Sequence, residues 1–496
     1  MRNKFRFYLA VSLSLVMLTA AVSLTAPAGS RASAQGESKR WVVIFTPGAT
    51  QANVTRSIEA AGGTVATRLE EVSAAVAVSS DPDFAAKVAR QPKVSDVAED
   101  IVVQMIPDPV GLQAQALSED AANSPTEPPG DDTQTGPDPF YNPFQWDKKR
   151  IRASNQGSYA VQQGRPDVVV AVLDTGAQVL ANPHPDLQAN LDVARSRSFF
   201  PVQPNPDGDP NPAAWDDRNG HGSHCMSNVG APINGIGMVG VAPRIRLVAL
   251  KVLGDNGSGS FVSLAQALIY AGNNKFDVAS MSLSGYLPRN DQSANSLIKL
   301  VHRAVNYARS NGVTPVAALG NDGFDVSDGN FFRSFITVPA EVSGVIGVSA
   351  TGFTNLKAAY SNYGVGKTDV SAPGGDFRAD LAPHLGLVVG AWAPDNTSLP
   401  GALYVLTAGT SMACPQVAGV CALIISQYGD FTPDNSNKPH MSPQHVEAIL
   451  QQTANNQPCT DPFVAAPDQR CQGDAGYNNF YGKGIVDAFK AVTDRN

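Results

Sequence analysis

From Gln145 onward, short runs of apolar, largely β-branched residues recur between stretches with helical spacing: Val168 to Leu173, Arg246 to Val252, Val278 to Leu283, Thr314 to Ala318 and Val345 to Val348. Runs apolar at nearly every position suit strands buried on both faces, and their alternation with helices predicts a parallel sheet with helices packed on each side. The expected class is α/β, three-layered, with a mostly parallel central sheet. A different rhythm precedes it. Trp41 to Phe45, a helix near Gln51 to Ala61, strands within Thr64 to Val78, a helix from Pro82 to Arg90 and a strand from Val94 to Ile106 give the order β-α-β-β-α-β, which is that of a small ferredoxin-like unit.

Composition refines the boundaries. Residues 107–140 are rich in Pro, Asp, Gln and Gly and contain neither Lys nor Arg, which predicts an extended linker open to proteolysis. Residues 1–34 begin with Arg2, Lys4 and Arg6, continue through an apolar stretch from Phe7 to Val22 and end at Ala32-Ser33-Ala34, the pattern of a cleaved secretion signal. The expected organisation is a signal peptide over 1–34, the small α+β unit over 35–106, the linker over 107–140 and the large domain over 141–496. No later segment is expected to cross a bilayer, and the chain is expected to be secreted.

The chain has 496 residues, 43% hydrophobic and 16% charged, enough apolar material for a large core. A net charge of −8 without a basic run argues against nucleic-acid binding. Five cysteines leave at least one outside an intrachain disulfide. Cys459 and Cys471 flank a Pro/Asp/Gly-rich loop and are the expected pair. Cys414 and Cys421 sit seven residues apart on one predicted helix, about 10 Å, too far to bridge.

Three glycine-bracketed segments carry candidate chemistry. Asp174-Thr175-Gly176 ends a buried strand, where open parallel sheets place their sites. An aspartic protease would need a second such carboxylate, and there is none. Gly220-His221-Gly222-Ser223-His224-Cys225 starts a helix. His221 there serves either as a general base or, with His224 and Cys225, as part of a zinc site. Gly409-Thr410-Ser411-Met412-Ala413-Cys414-Pro415 puts Ser411 at a helix start, as a nucleophile or as a plain cap, with Pro415 tolerated in the first turn. Three independent caps in this arrangement are improbable, and a serine needs a base that is itself held by a third group.

These segments resemble the three signature motifs of the subtilisin-like serine peptidases, from about Gln145 to Val492. The resemblance implies a peptidase with Ser411 as nucleophile, His221 as base then acid, and Asp174 orienting the imidazole. It implies Asn321, in Leu319-Gly320-Asn321-Asp322-Gly323, as the oxyanion donor beside the Ser411 N–H. Gly257-Ser258-Gly259 and Ser282-Leu283-Ser284 would be the edges between which a substrate strand adds. Relatives usually carry Gly where Ser284 stands, and His where Gln416 stands. Cys225 resembles the free thiol that some relatives keep beside the catalytic histidine. Asp186 and Asn234 match a family calcium site, so a structural calcium is implied while the chemistry itself requires no cofactor. The small unit resembles that family's propeptide, an intramolecular inhibitor. Protein or peptide substrates and a monomeric state are expected.

Overall fold

A computed structural model describes residues 37–106, 114–117, 134–180, 183–200, 208–327, 334–377, 386–395, 399–431, 439–459 and 469–494. The expected signal peptide, over 1–34, and most of the expected linker lie outside the described residues. Ser38–Asn496 form one compact unit.

The first strands are β1 (Lys39–Phe45), β2 (Thr64–Leu69), β3 (Ala74–Ser79) and β4 (Val94–Glu99), with helices α1 (Gln51–Ala60) and α2 (Phe84–Val88). They make a four-stranded sheet in the order β2-β3-β1-β4, antiparallel at each pairing. Strand alternation divides its side chains between two cores. Val43, Phe45, Ala75 and Ala77 face Ile58 of α1 and Phe84 and Val88 of α2. Val42, Ile44, Ala74 and Val76 face the other way, into the core of the large body.

That body is built on seven strands: β7 (Val169–Asp174), β8 (Arg197–Ser198), β9 (Arg246–Lys251), β11 (Val278–Met281), β13 (Thr314–Ala318), β15 (Ile346–Thr351) and β16 (Val370–Pro373). Their order is β16-β15-β13-β11-β7-β9-β8, and every pairing is parallel. Within β7, Val170 and Val172 join one hydrophobic core while Val169, Ala171 and Leu173 join the other, so helices cover both faces as the apolar run requires. The chain leaves β7 toward β9 on one side and returns on the other at β11. The crevice outside their carboxyl ends is thus the topological switch point of the sheet.

Smaller elements flank the sheet: β5 (Val102–Gln104), β6 (Gln115–Leu117), β10 (Ser258–Ser260), β12 (Gly285–Pro288), β14 (Phe335–Val338), β17 (Val388–Ala391) and β18 (Tyr404–Thr407). The helices that matter below are α3 (Trp146–Arg150), α4 (His221–Gly230), α5 (Phe261–Asn273), α6 (Gln292–Ser310) and α7 (Thr410–Tyr428). By length and apolarity α7 could span a membrane, contrary to the sequence expectation, but 94% of its apolar window is buried in the core.

Two sequence expectations change here. The stretch from Val94 to Ile106 is two elements, because after Glu99 the chain leaves the small sheet and β5 pairs with β10 of the large body. The linker also carries structure: β6 adds to β18, and Asp138 and Phe140 are buried against the large body. Cys459 and Cys471 are joined, while Cys225, Cys414 and Cys421 are free and buried.

Candidate active site

Asp174 is the last residue of β7, and His221 is the first of α4. The His221 Nδ1–H donates to Asp174 Oδ1 at 2.8 Å, with both side chains fully buried. Backbone geometry brings α4 this close. Gly222 packs on the turn after β7, where a Cβ would stand 2.4 Å from Gly176 O, and Gly220 caps the helix at φ 104°, a conformation open to glycine.

The sequence reading missed the residue that holds this turn. Asp217, fully buried, accepts from Thr175 Oγ1 and from the Asn219 and Gly220 N–H groups through Oδ1, and from Ser223 N–H and Oγ through Oδ2. At the start of α4 this carboxylate takes the Ser223 N–H, Asn219 Oδ1 takes the His221 N–H and Thr175 Oγ1 takes the Gly222 N–H, so Asp217, Asn219 and Thr175 together tie the helix start to the residue after Asp174. Its signal, an Asp four residues ahead of a helix-starting His, is indistinct in a loop with several Asp residues.

Ser411 is the second residue of α7. Its Oγ donates to Ser282 O at 3.1 Å, and His221 Nε2 has no hydrogen-bond partner. The two helices still meet at one atom, because Cys225 Sγ lies 3.8 Å from His221 Nδ1 and 3.4 Å from Ser411 O. Pro415 is in the helix interior, not its first turn, which corrects the sequence reading. Lacking an N–H, it leaves Ser411 O without its intrahelical donor. The Ser282 hydroxyl, at 2.9 Å, and the Cys225 thiol take that place. Asn321 follows β13. Its Oδ1 accepts from Thr410 N–H and Oγ1, both at 2.8 Å, so the amide nitrogen is directed elsewhere. A Cβ built on Gly409 would meet Asn321 Nδ2 at 3.4 Å and Ser411 N at 3.6 Å, which puts both donors around one point beside the serine.

The predicted peptide edges are occupied by the chain itself. Gln104, Val103 and Val102 pair antiparallel with Ser258, Gly259 and Ser260. Met105 N–H donates to Gly257 O at 3.2 Å, and Ser284 N–H donates to Met105 O at 3.1 Å. Gly257 must lack a side chain, since a Cβ would stand 2.5 Å from Ile106. Leu283 is buried in the core, and Ser282 faces Ser411 instead of the groove.

The zinc reading fails on geometry. His224 Nε2 faces Val388 O at 3.2 Å and Nδ1 faces Asn228, while burial, then His221, pushes its pKa down to about 3. Among the described residues, the cluster of metal-capable side chains is Asp174, His221 and Cys225. The Cys225 thiol is pushed well up, by burial first and then by Asp174, so it stays neutral.

Asp186 and Asn234 do meet: Asn234 Nδ2 donates to Asp186 Oδ1 at 2.9 Å, and Met238 N–H and Tyr404 OH donate to Oδ2. Asp138, which sequence reasoning assigned to the linker, joins them. It accepts from Gly235 N–H at 2.8 Å, and its Oδ2 has no partner. Burial, the largest influence on each, raises both carboxyls to about 6.

Behind the site, α3 lies between α4 and α7. Lys148 Nζ donates to Asp147 Oδ2 at 2.6 Å and to Asn228 Oδ1 of α4 at 2.7 Å; Gln416 Nε2 of α7 donates to the same Asp147 oxygen at 3.0 Å. All four side chains are buried. Gln416 thus ties α7 to α3.

A family model described as the subtilase family, peptidase S8, matches residues 165–484. The chain belongs to the subtilase family. It is similar to M-protease of Shouchella clausii, 35% identical over 325 residues, which are 66% of this chain and 64% of that protein. Subtilisin Savinase of Lederbergia lenta is 34% identical over the same share of this chain and 90% of its own. The chain thus spans less than two thirds of the length of M-protease. The epidermin leader peptide processing serine protease from Staphylococcus aureus has this fold, with TM-score 0.69 and 22% identity over 93% of this subtilase and 100% of that chain.

Proposed function

We propose that this subtilase is a secreted serine endopeptidase, made as a zymogen, that cleaves peptide bonds through an acyl-enzyme on Ser411. The observation that carries this reading is a buried imidazole bound to Asp174 through Nδ1 with Nε2 free, on a helix whose Cys225 thiol reaches Ser411 O, with Asn321 Nδ2 and Ser411 N–H both close to one point at Gly409. In the resting state the Ser411 hydroxyl is directed to Ser282 O; rotation about its Cα–Cβ bond exchanges that carbonyl for His221 Nε2. Oγ then attacks the scissile carbonyl as Nε2 takes its proton, and Asp174 stabilises the imidazolium. The carbonyl electrons move onto oxygen, held by Asn321 Nδ2 and Ser411 N–H at the positive end of α7. His221 returns the proton to the leaving amine, and a water repeats the sequence to free the acid.

The zymogen reading is supported by Val102 to Ile106 lying along the proposed substrate edges, so the small unit acts as the chain's own inhibitor until it is removed. Secretion is supported by the composition of residues 1–34 and by the Cys459–Cys471 bridge, which suits an oxidising compartment. The enzyme acts on protein or peptide substrates as a monomer. A structural calcium beside Asp138, Asp186 and Asn234 is part of this proposal: two buried carboxylates, one with an unpaired oxygen, suit a hard cation. No step of the reaction passes through it.

The test is Ser411→Ala. It abolishes hydrolysis of a denatured protein and labelling by a fluorophosphonate. Retained labelling or hydrolysis refutes the mechanism.

A further inference from the structure

β18 is bordered on one side by β17 and on the other by β6, with Tyr404 opposite Leu117, Val405 opposite Ala116 and Leu406 opposite Gln115. β18 leads directly into α7, so this outer edge begins five residues before Ser411. β6 runs antiparallel to it, and its Gln115 end is the one nearer the serine. Val102 to Ile106 lie on the other side, at Gly257 to Ser260 and Ser284, ahead of β6 in the chain. The two stretches therefore share the polarity of one polypeptide: its amino-terminal part along the proposed substrate edges, its carboxyl-terminal part along β18. Seven residues lie between Ile106 and Ala114, and the eight Cα-to-Cα steps span at most about 29 Å of extended chain.

The edge is shaped for side chains as well as backbone. Alternation puts Ala114 against the patch of Trp392, Ala402 and Val405, and Leu117 against the patch of Phe140, Tyr404 and Leu406. Yet the occupant is weakly held. Gln115 and Ala116 are exposed and Leu117 is half-buried, so three backbone pairings and the Ala114 and Leu117 side chains keep β6 in place. Covalent tethering supplies the rest, as a high effective concentration that ends when the linker is cut.

We propose that the outer edge of β18 is a second peptide-docking site, on the leaving-group side, which accepts by strand addition an uncharged extended segment well downstream of the cleaved bond. A small residue lies over Trp392 and a branched apolar residue three places later lies beside Tyr404 and Leu406. The favoured substrates are unfolded polypeptides reaching at least about ten residues past the cleavage point, and β6 is the precursor's own occupant of that edge. This inference rests on the peptidase reading.

The test uses enzyme that has matured from the full chain and the synthetic peptide Leu-Gln-Ala-Gln-Ala-Leu-Ser, residues 112–118. Two substrates are compared: a tetrapeptide p-nitroanilide, with nothing beyond the scissile bond but the dye, and a 20-residue unfolded peptide. The heptapeptide competes with the long substrate and leaves anilide hydrolysis unchanged. Its L117D form loses about tenfold in potency, and the same exchange in the long substrate lowers kcat/KM by a similar factor. Equal inhibition of both substrates, inhibition of neither, or an active enzyme that retains residues 115–117 at its amino terminus overturns the docking site. An enzyme that neither cleaves the anilide nor takes up fluorophosphonate overturns the peptidase reading beneath it.

Discussion

Asp147 and Lys148 are adjacent, oppositely charged and 0% exposed, and they join the helix bearing His221 to the helix bearing Ser411. Changing Lys148 to Met leaves the Asp147 carboxylate buried with only the Gln416 amide for company. Breaking a buried pair on one side costs about 3–5 kcal/mol, because the remaining charge cannot return to water. Asp147→Leu strands the ammonium instead, at a similar cost. Replacing both restores an uncharged interior, and the residual loss is the Gln416 and Asn228 groups left short of partners, about 1–3 kcal/mol. The assay is the unfolding rate followed by tryptophan fluorescence, in the Ser411→Ala background so that self-digestion plays no part. If the network is lost in the unfolding transition state, each single variant unfolds about 10² to several 10³ times faster than its parent, and the double variant recovers part of that. Single variants within twofold of the parent, or a double variant as fast as the worse single, refute the argument.

Other outcomes follow from the same site. Asn321→Ala lowers kcat about 10²–10³-fold with KM nearly unchanged, a figure set by a member of this same family, and steady-state kinetics on the anilide checks it. Asp138 is raised to about 6 in the fold, so the native state holds a proton between pH 4 and 6 that the unfolded chain has released, and stability falls as pH rises through that window. Asp138→Asn in chelator therefore gains on the parent from pH 4 to 6 in thermal scans, whereas added calcium stabilises the parent above pH 6 and not the variant. Cys225 is buried and neutral, so iodoacetamide leaves activity intact while a mercurial inhibits slowly through the sulfur beside His221. Cys225→Ser remains active and loses the mercurial response.

What could be read from the sequence was local and periodic. The uniform apolar run ahead of Asp174 announced a doubly covered strand, and the glycines around His221 and Ser411 marked close backbone approaches. The residues that escaped notice act across the fold. Asp217 works by gathering donors from two segments, Asp138 by meeting a loop a hundred residues on, and neither stands in a distinctive local pattern. Pro415 lies inward of the first turn because α7 already begins at Thr410, a polar residue that gives no helical signal of its own. β6 was hidden by composition: Gln-Ala-Leu has no strand signature and pairs only because β18 offers an edge.

The strand order also has a kinetic side. β7 must find β9 more than seventy residues later and β11 more than a hundred residues later, both in parallel register. Pairings so remote close slowly, since chain entropy is lost long before the contacts repay it. The small sheet, by contrast, pairs strands no more than 58 residues apart, the separation of Trp41 and Glu99, and docks on α5 and α6, where Arg303 donates to Phe45 O and Val72 O and Asn273 to Glu71. An early-forming platform of this sort holds α5 and α6, the helices that connect β10 to β11 and β12 to β13, while the central strands search for their partners. Expressed without residues 38–106, the large body is expected to collapse quickly and to reach its native register orders of magnitude more slowly.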